Sequence, residues 1–312
     1  MIWLIWRQHR GELLGAAILL TLLGVLLLTH GVAMHQAYDR DGVGACQLLM
    51  FDSDPNGTGE GCPETVSSFD DRYAELPSQF ASWLPFLPML VGMLIGAPLL
   101  AREFEQGTWQ LAWTQGVTRT RWLGSKLAIV LGGVLAVSAV FAAGVTWWFG
   151  PLAAQQFTSG KFNHAPLVFP AYVMVAVSIG ILAGVVVRRA IVAAAITVGG
   201  YLAVRLPVEF GLRPHYREPA TTADPAVAET GWNIHDAEYG VGPDGSTIPG
   251  STLTFKYHPD DRFWEFQLIE TAILAGITLV LLVIAWRLVM GRRSDRTDGN
   301  EALPRVGAAR VE

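Results

Sequence analysis

Six stretches of this chain are almost wholly apolar, and polar residues cluster between them. They cover about 13–34, 82–101, 127–149, 167–187, 190–208 and 268–290. Each holds roughly the 20 apolar residues that a helix needs to cross a hydrocarbon core of about 30 Å. Lipid offers no partner for backbone N–H and C=O groups, so each predicted span is a helix. The pattern predicts an all-α integral membrane protein with six transmembrane helices.

Composition agrees with that reading. The chain of 312 residues is 51% hydrophobic and only 16% charged, where soluble proteins carry about 25% charge. A net charge of −5 gives no reason to expect nucleic acid as a partner; membrane lipid is the expected surroundings. The first ten residues carry Trp3, Trp6, Arg7, His9 and Arg10, and no small-residue cleavage site follows the first apolar run. That run reads as a retained helix and not as a cleaved signal.

Lys and Arg set the orientation, because cytoplasmic loops hold the excess. With the N-terminus inside, fourteen of the 22 fall on inner segments, seven on outer ones, and Arg205 lies within a helix. Arg188-Arg189 and Arg292-Arg293 stand directly at helix ends. Both termini are thus expected in the cytoplasm and the protein in the plasma membrane of a bacterium. Two sizeable extracytoplasmic loops follow, about 35–81 and 209–267, acidic and rich in Gly, Pro and Asp. Residues 1–12 read as an amphipathic connecting helix, 13–290 as the six-helix domain, and 291–312 as a disordered cytoplasmic tail. Cys46 and Cys62 share the first outer loop; in an oxidising compartment a disulfide there would contribute about 3 kcal/mol.

The inner loop 102–126 carries the most specific chemistry. It opens with Glu103, Phe104, Glu105, Gly107 and Thr108. An amphipathic stretch with Trp109 and Trp113 follows, and Arg119, Arg121, Trp122 and Lys126 lead back to the bilayer. An ordinary interfacial loop also uses aromatic anchors and positive charge in this way. Within the helices, Arg205 lies one turn before Glu209, and Glu270 starts the sixth span. They suit either a polar outer gate or ion pairs at the membrane interface. Small residues recur four apart at Gly11/Gly15, Gly92/Gly96 and Gly180/Gly184, a spacing that lets helices approach closely. Pro85, Pro88 and Pro98 are expected to bend the second helix.

Glu-x-Glu-x-Gly-Thr at 103–108, with the basic, aromatic return to Lys126, resembles the permease family of type-2 ATP-binding-cassette (ABC) exporters. The Trp- and Arg-rich opening at 2–10 and Pro-Asp-Asp-Arg-Phe-Trp at 259–264 resemble the actinobacterial branch, although Glu265 replaces the Pro common there. The resemblance implies a dimer, with a second copy or a paralogue, that binds cytosolic ABC ATPase subunits. It also implies that 102–126 forms a coupling helix. In that role Glu103 and Glu105 would bind basic ATPase residues, Gly107 would allow the exit turn and Thr108 would cap the helix. Trp109 and Trp113 would anchor it.

No Gly-x-x-x-x-Gly-Lys-Ser/Thr phosphate loop is present in the sequence, so no cofactor is expected on this chain; ATP and Mg would sit on the partner. A hydrophobic or amphipathic export substrate such as a drug, antibiotic or lipid is the expectation, with no catalytic residue and no metal site. Two other classes stay open at this stage. A membrane-embedded enzyme would need a catalytic set, yet Ser138 and Ser178 have no nearby base in the pattern. An ion-coupled carrier would carry charge at mid-helix, where these spans have little.

Overall fold

The structure is a computed structural model. It describes residues 2–51, 61–107, 118–152, 159–228, 231–238 and 253–291, with side chains throughout these except at 2–20, 50–51, 159, 225–226 and 235–238. Thr108, Trp109, Trp113 and the tail 292–312 lie outside the described residues.

The molecule is mostly helical. Helix α1 runs unbroken over Ile2–Arg40, so the expected connecting segment and first span share one helix. Helices α2 (Val43–Phe51) and α3 (Cys62–Tyr73) follow. Five helices are long and apolar enough to cross a membrane: α4 (Glu75–Gln106), α5 (Arg119–Leu152), α7 (Val168–Val187), α8 (Ala190–His215) and α9 (Asp260–Gly291). The short α6 (Ser159–His164) precedes α7. Several of these helices extend beyond their apolar windows: α4 starts at Glu75 and α8 continues to His215.

The expectation of an all-α protein needs correction. Residues from the second polar segment form a three-stranded antiparallel sheet in the order β1 (Ala220–Thr222), β3 (Thr254–Pro259), β2 (Gly231–Glu238). Thr221 pairs with Lys256 and Trp232 with His258. β-Branched and aromatic residues favour such a pleated surface, but these strands are short and β2 slips register at two places. Their alternation is therefore hard to read in sequence.

The chain divides into two compact units. One comprises Met1–Leu87, Leu135–Tyr172 and Arg205–Ala272; the other comprises Pro88–Val134, Val173–Val204 and Ile273–Glu312. In the first, Trp148 is fully buried, donates its indole N–H to His30 Nδ1 at 3.1 Å, and meets Phe80 edge-on. Cys46 and Cys62 are disulfide-bonded, which ties α2 to α3.

In the second unit the close approach of helices rests on glycine. A Cβ on Gly92 would come within 2.6 Å of the Ala176 backbone, and one on Gly180 within 2.6 Å of Ala97 N and 2.7 Å of Gly92 O. Buried Ala97, Ala101, Ala183 and Ala193 continue this small-residue seam. Without a hydrophobic drive between helices in lipid, such contact packing is what holds them together. Outward-facing Ile129 and Ile191 are among the most exposed apolar side chains, as lipid contact requires.

Two helices carry π-helical turns, Gly92–Gly96 in α4 and Pro207–Leu212 in α8. Pro98 follows the first and Pro207 opens the second. A proline has no N–H to give, and the wider turn forms beside the missing donor.

Candidate coupling end and buried charge cluster

At its Gln106 end, α4 stops at Gly107, which adopts φ +70. Glycine takes this left-handed conformation without a Cβ penalty and commonly closes a helix. Just before it, Glu103 Oε1 accepts a hydrogen bond from Lys126 Nζ, and the same ammonium donates to Leu99 O at 2.8 Å. Glu105 Oε2 accepts the backbone N–H of Ala190 at 3.2 Å, so it caps α8 from outside. The Phe104 ring lies 5.8 Å from the Arg188 guanidinium. Arg188 itself turns the chain from α7 to α8 with φ +58, the one non-glycine positive φ among the described residues. A bulky residue in that region costs energy and persists where the surroundings hold it.

Arg119 and Arg121 stand in the first turn of α5, Arg121 exposed. Thr118 precedes them and its hydroxyl accepts the Arg121 backbone N–H at 3.4 Å. The structure therefore brings Glu103, Phe104, Glu105 and Gly107 together with Lys126 and the Arg188–Ala190 turn. Sequence reasoning did not foresee Arg188 or the capping of Ala190. The adjacency of Arg188-Arg189 to two apolar runs was the available signal.

The other unit holds a buried cluster of four charges, two of each sign. Glu270 is fully buried and accepts a two-pronged bond from Arg213, Nη2 to Oε1 at 2.6 Å and Nε to Oε2 at 2.8 Å. Tyr172 donates to Oε1 at 2.8 Å and Tyr216 to Oε2 at 3.3 Å. Arg205 Nε donates to Glu209 Oε2 at 2.9 Å, and Asn163 Nδ2 donates to Glu209 Oε1 at 2.9 Å. Arg213 also lies 3.6 Å from Glu209. Each guanidinium covers a ring, Arg205 over Tyr172 at 4.2 Å and Arg213 over Phe162 at 4.4 Å. Planar guanidinium groups suit this combination of forked pairing and stacking.

Beside the cluster, Gln267 locks α6 and α7 to α9. Its amide donates to Phe162 O at 2.9 Å and its Oε1 accepts Val168 N–H at 3.2 Å. His258 on β3 is fully buried and donates from Nε2 to Pro214 O at 3.1 Å. A carbonyl can only accept, which fixes the tautomer, and burial lowers the ring's pKa. Tyr216 is pushed upward, first by burial and then by the Glu270 charge. Burial, then the Arg205 charge, lowers the His164 pKa to about 4.

Of the sequence-derived gate residues, Arg205 and Glu209 pair directly, while Glu270 pairs with Arg213 and not with Arg205. Arg213 escaped the sequence reading because α8 was expected to end near 208, and Tyr172, Asn163 and Gln267 because they lie on other helices that only the fold brings here. Extended to His215, it places Arg205, Glu209 and Arg213 four residues apart on one face.

The end of α4 and the α6, α7 and α8 parts of the charge cluster, up to Arg213, lie within the stretch that the family comparison covers. A family model described as ABC-2 membrane transporter related matches residues 17–213, more than half of the chain. The chain belongs to this family. No curated protein and no solved structure matches it. As an ABC-2 related protein it is a multi-pass membrane protein of transporter-permease type, in a family whose members are typically not catalytic themselves and in general work with an ATPase partner. The match takes in the helix end at Glu103–Gly107 and three of the four clustered charges. Glu270 lies beyond it.

Proposed function

We propose that this chain is the membrane-spanning permease subunit of an ABC exporter, driven by ATP and Mg held on a separate cytosolic ATPase subunit. The observation that carries the reading is the end of α4. An acidic pair, a glycine stop and the start of α5 stand together on a face crowded with charge, within the stretch matched by the ABC-2 family. The described residues on either side, Gly107 and Thr118, bound the stretch that the sequence resemblance assigns to ATPase docking. Glu103 is held by Lys126, and Glu105 by the start of α8. A push on this loop would therefore reach α5 and α8 as well as α4.

The finer proposals follow from the sequence. Six spans result when α1 is counted with the five long apolar helices. The excess of Lys and Arg supports cytoplasmic termini in a bacterial plasma membrane. The openings at 2–10 and 259–264 support the actinobacterial branch. A dimer, with a second copy or a paralogue, and export of a hydrophobic or amphipathic drug, antibiotic or lipid complete the proposal. The Arg205–Glu209 and Arg213–Glu270 pairs then close the outer end as a gate. Two charges of each sign leave no net charge to attract an ion, which disfavours an ion-coupled carrier.

Affinity purification of the tagged chain from its native membranes tests this. The Glu103→Ala/Glu105→Ala double variant is expected to lose most of its associated ATPase, since each charge-assisted contact is worth about 1.5–3 kcal/mol. An undiminished ATPase yield would show that this end is not the docking face.

A further inference from the structure

A cavity of about 480 Å3 lies within the first unit, in the range of small-molecule sites. The end of α1, α2, the far end of α5, α6 and the start of α9 line it, and it is partly open. Phe149, Phe263 and Trp264 form aromatic walls, while Tyr38, Gln47 and His164 supply polar groups. None of these residues belongs to the coupling end or the four-charge cluster.

The polar groups are under-used. His164 is 2% exposed, and apart from the Gly160 carbonyl one turn earlier neither ring nitrogen has a partner in good hydrogen-bonding geometry. Gln47 is also buried, and its bonds are long: 3.5 Å to Pro151 O and 3.3 Å from the Tyr38 hydroxyl. Buried polar atoms in folded proteins are nearly always paired, so an exception points to something that pairs them. The His164 ring is uncharged at neutral pH and so presents one N–H donor and one lone pair. Lys161 also faces the cavity, but the Asp260 carboxylate acts on it with opposite charge. The neutral imidazole thus offers an anion no charge, and the Lys161 charge already has an acidic neighbour in Asp260.

We propose that this cavity binds an uncharged amphipathic molecule, whose hydroxyl both donates to and accepts from the imidazole and amide of His164 and Gln47. Its apolar body lies along Phe149, Phe263 and Trp264. A hydroxyl fits because it can give one hydrogen bond and accept others at the same atom. The site goes beyond the transport reading, and binding is tested without ATPase or transport, so the two stand or fall separately.

The test uses full-length purified protein in lipid nanodiscs and three diazirine-bearing probes of equal chain length: hexadecanol, hexadecanoic acid and a hexadecane. Photolabelled peptides are read by mass spectrometry. The alcohol is expected to label the peptide around Phe263 and Trp264 saturably, with about tenfold preference over the acid and the alkane. His164→Phe should lower labelling by about tenfold. His164→Gln, which keeps a donor and an acceptor, should retain it; size-exclusion profiles confirm that both variants are folded. Equal labelling by alcohol and acid, or full labelling of His164→Phe, overturns the proposal. So does the absence of saturable labelling, which would leave only water in the cavity. Solvent extraction of the native protein then separates a membrane lipid from an exogenous compound. Either must be un-ionised and carry a free hydroxyl, and recovery of an ionised occupant overturns the assignment.

Discussion

Glu270 and Arg213 meet with almost no water access, at 0% and 1% side-chain exposure, so each is the other's main compensation for lost hydration. Removing one partner of such a pair leaves an uncompensated charge and costs about 3–5 kcal/mol, whereas removing both can be nearly neutral. Arg213→Met should therefore lower the thermal midpoint in detergent strongly. Arg213→Met combined with Glu270→Gln should recover most of the loss, because a glutamine carbonyl still accepts from Tyr172. A single variant as stable as the parent would contradict the buried pairing.

His164 makes a prediction of opposite chemistry. Its folded pKa of about 4 lies below the ordinary value of 6.5, so the unfolded chain binds the proton more readily. Its contribution is complete above pH 6.5 and is lost as pH falls towards 4. At about 1.4 kcal/mol per pH unit this amounts to about 3 kcal/mol. Unfolding free energies measured across that window should slope less steeply for His164→Gln, and identical slopes would contradict the burial of a neutral ring.

Among the helices, the Gly92/Gly96 and Gly180/Gly184 seam predicts a contrast between glycines. Gly180→Ala drives a methyl group into the Ala97 and Gly92 backbone and should cost about 1–3 kcal/mol. Gly132, with nothing within 4 Å of a built Cβ, should tolerate alanine and gain up to about 1 kcal/mol. Thermal stability of the two variants distinguishes a packed seam from glycine that is merely frequent. Pro98→Ala restores a backbone donor beside the π-turn of α4 and should draw that turn towards ordinary α-geometry. The ATPase rate of the assembled complex should change while its composition does not; an unchanged rate would remove this turn from coupling.

Five of the expected spans were legible in sequence because lipid demands long apolar runs, which no polar detail obscures. Helix ends were less so. Glu75 and Gln79 hydrogen-bond one turn apart at 3.1 Å and extend α4 into polar sequence. Glu209 and Arg213 extend α8 because internal ion pairs replace the apolar side chains expected there. The polar cluster was half legible. Arg205 and Glu209 show their spacing within one helix, but the partnership of Arg213 with Glu270, 57 residues away, needs the fold to bring α8 and α9 together. Phe255 and Tyr257 fall within the expected outer loop 209–267, and only the pairing of β3 with β1 and β2 shows them as part of a strand.

For the whole molecule, the family assignment and the charged end of α4 converge on one requirement. In the function proposed above, work done on a substrate arrives through the face formed by Glu103–Gly107 and Thr118–Lys126. A photo-crosslinking amino acid in place of the exposed Gln106, activated in native membranes, tests this most directly through the identity of the captured protein. The account predicts a cytosolic polypeptide that carries a Gly-x-x-x-x-Gly-Lys-Ser/Thr phosphate loop. Capture of an extracytoplasmic protein, or of no protein but this chain, would contradict it.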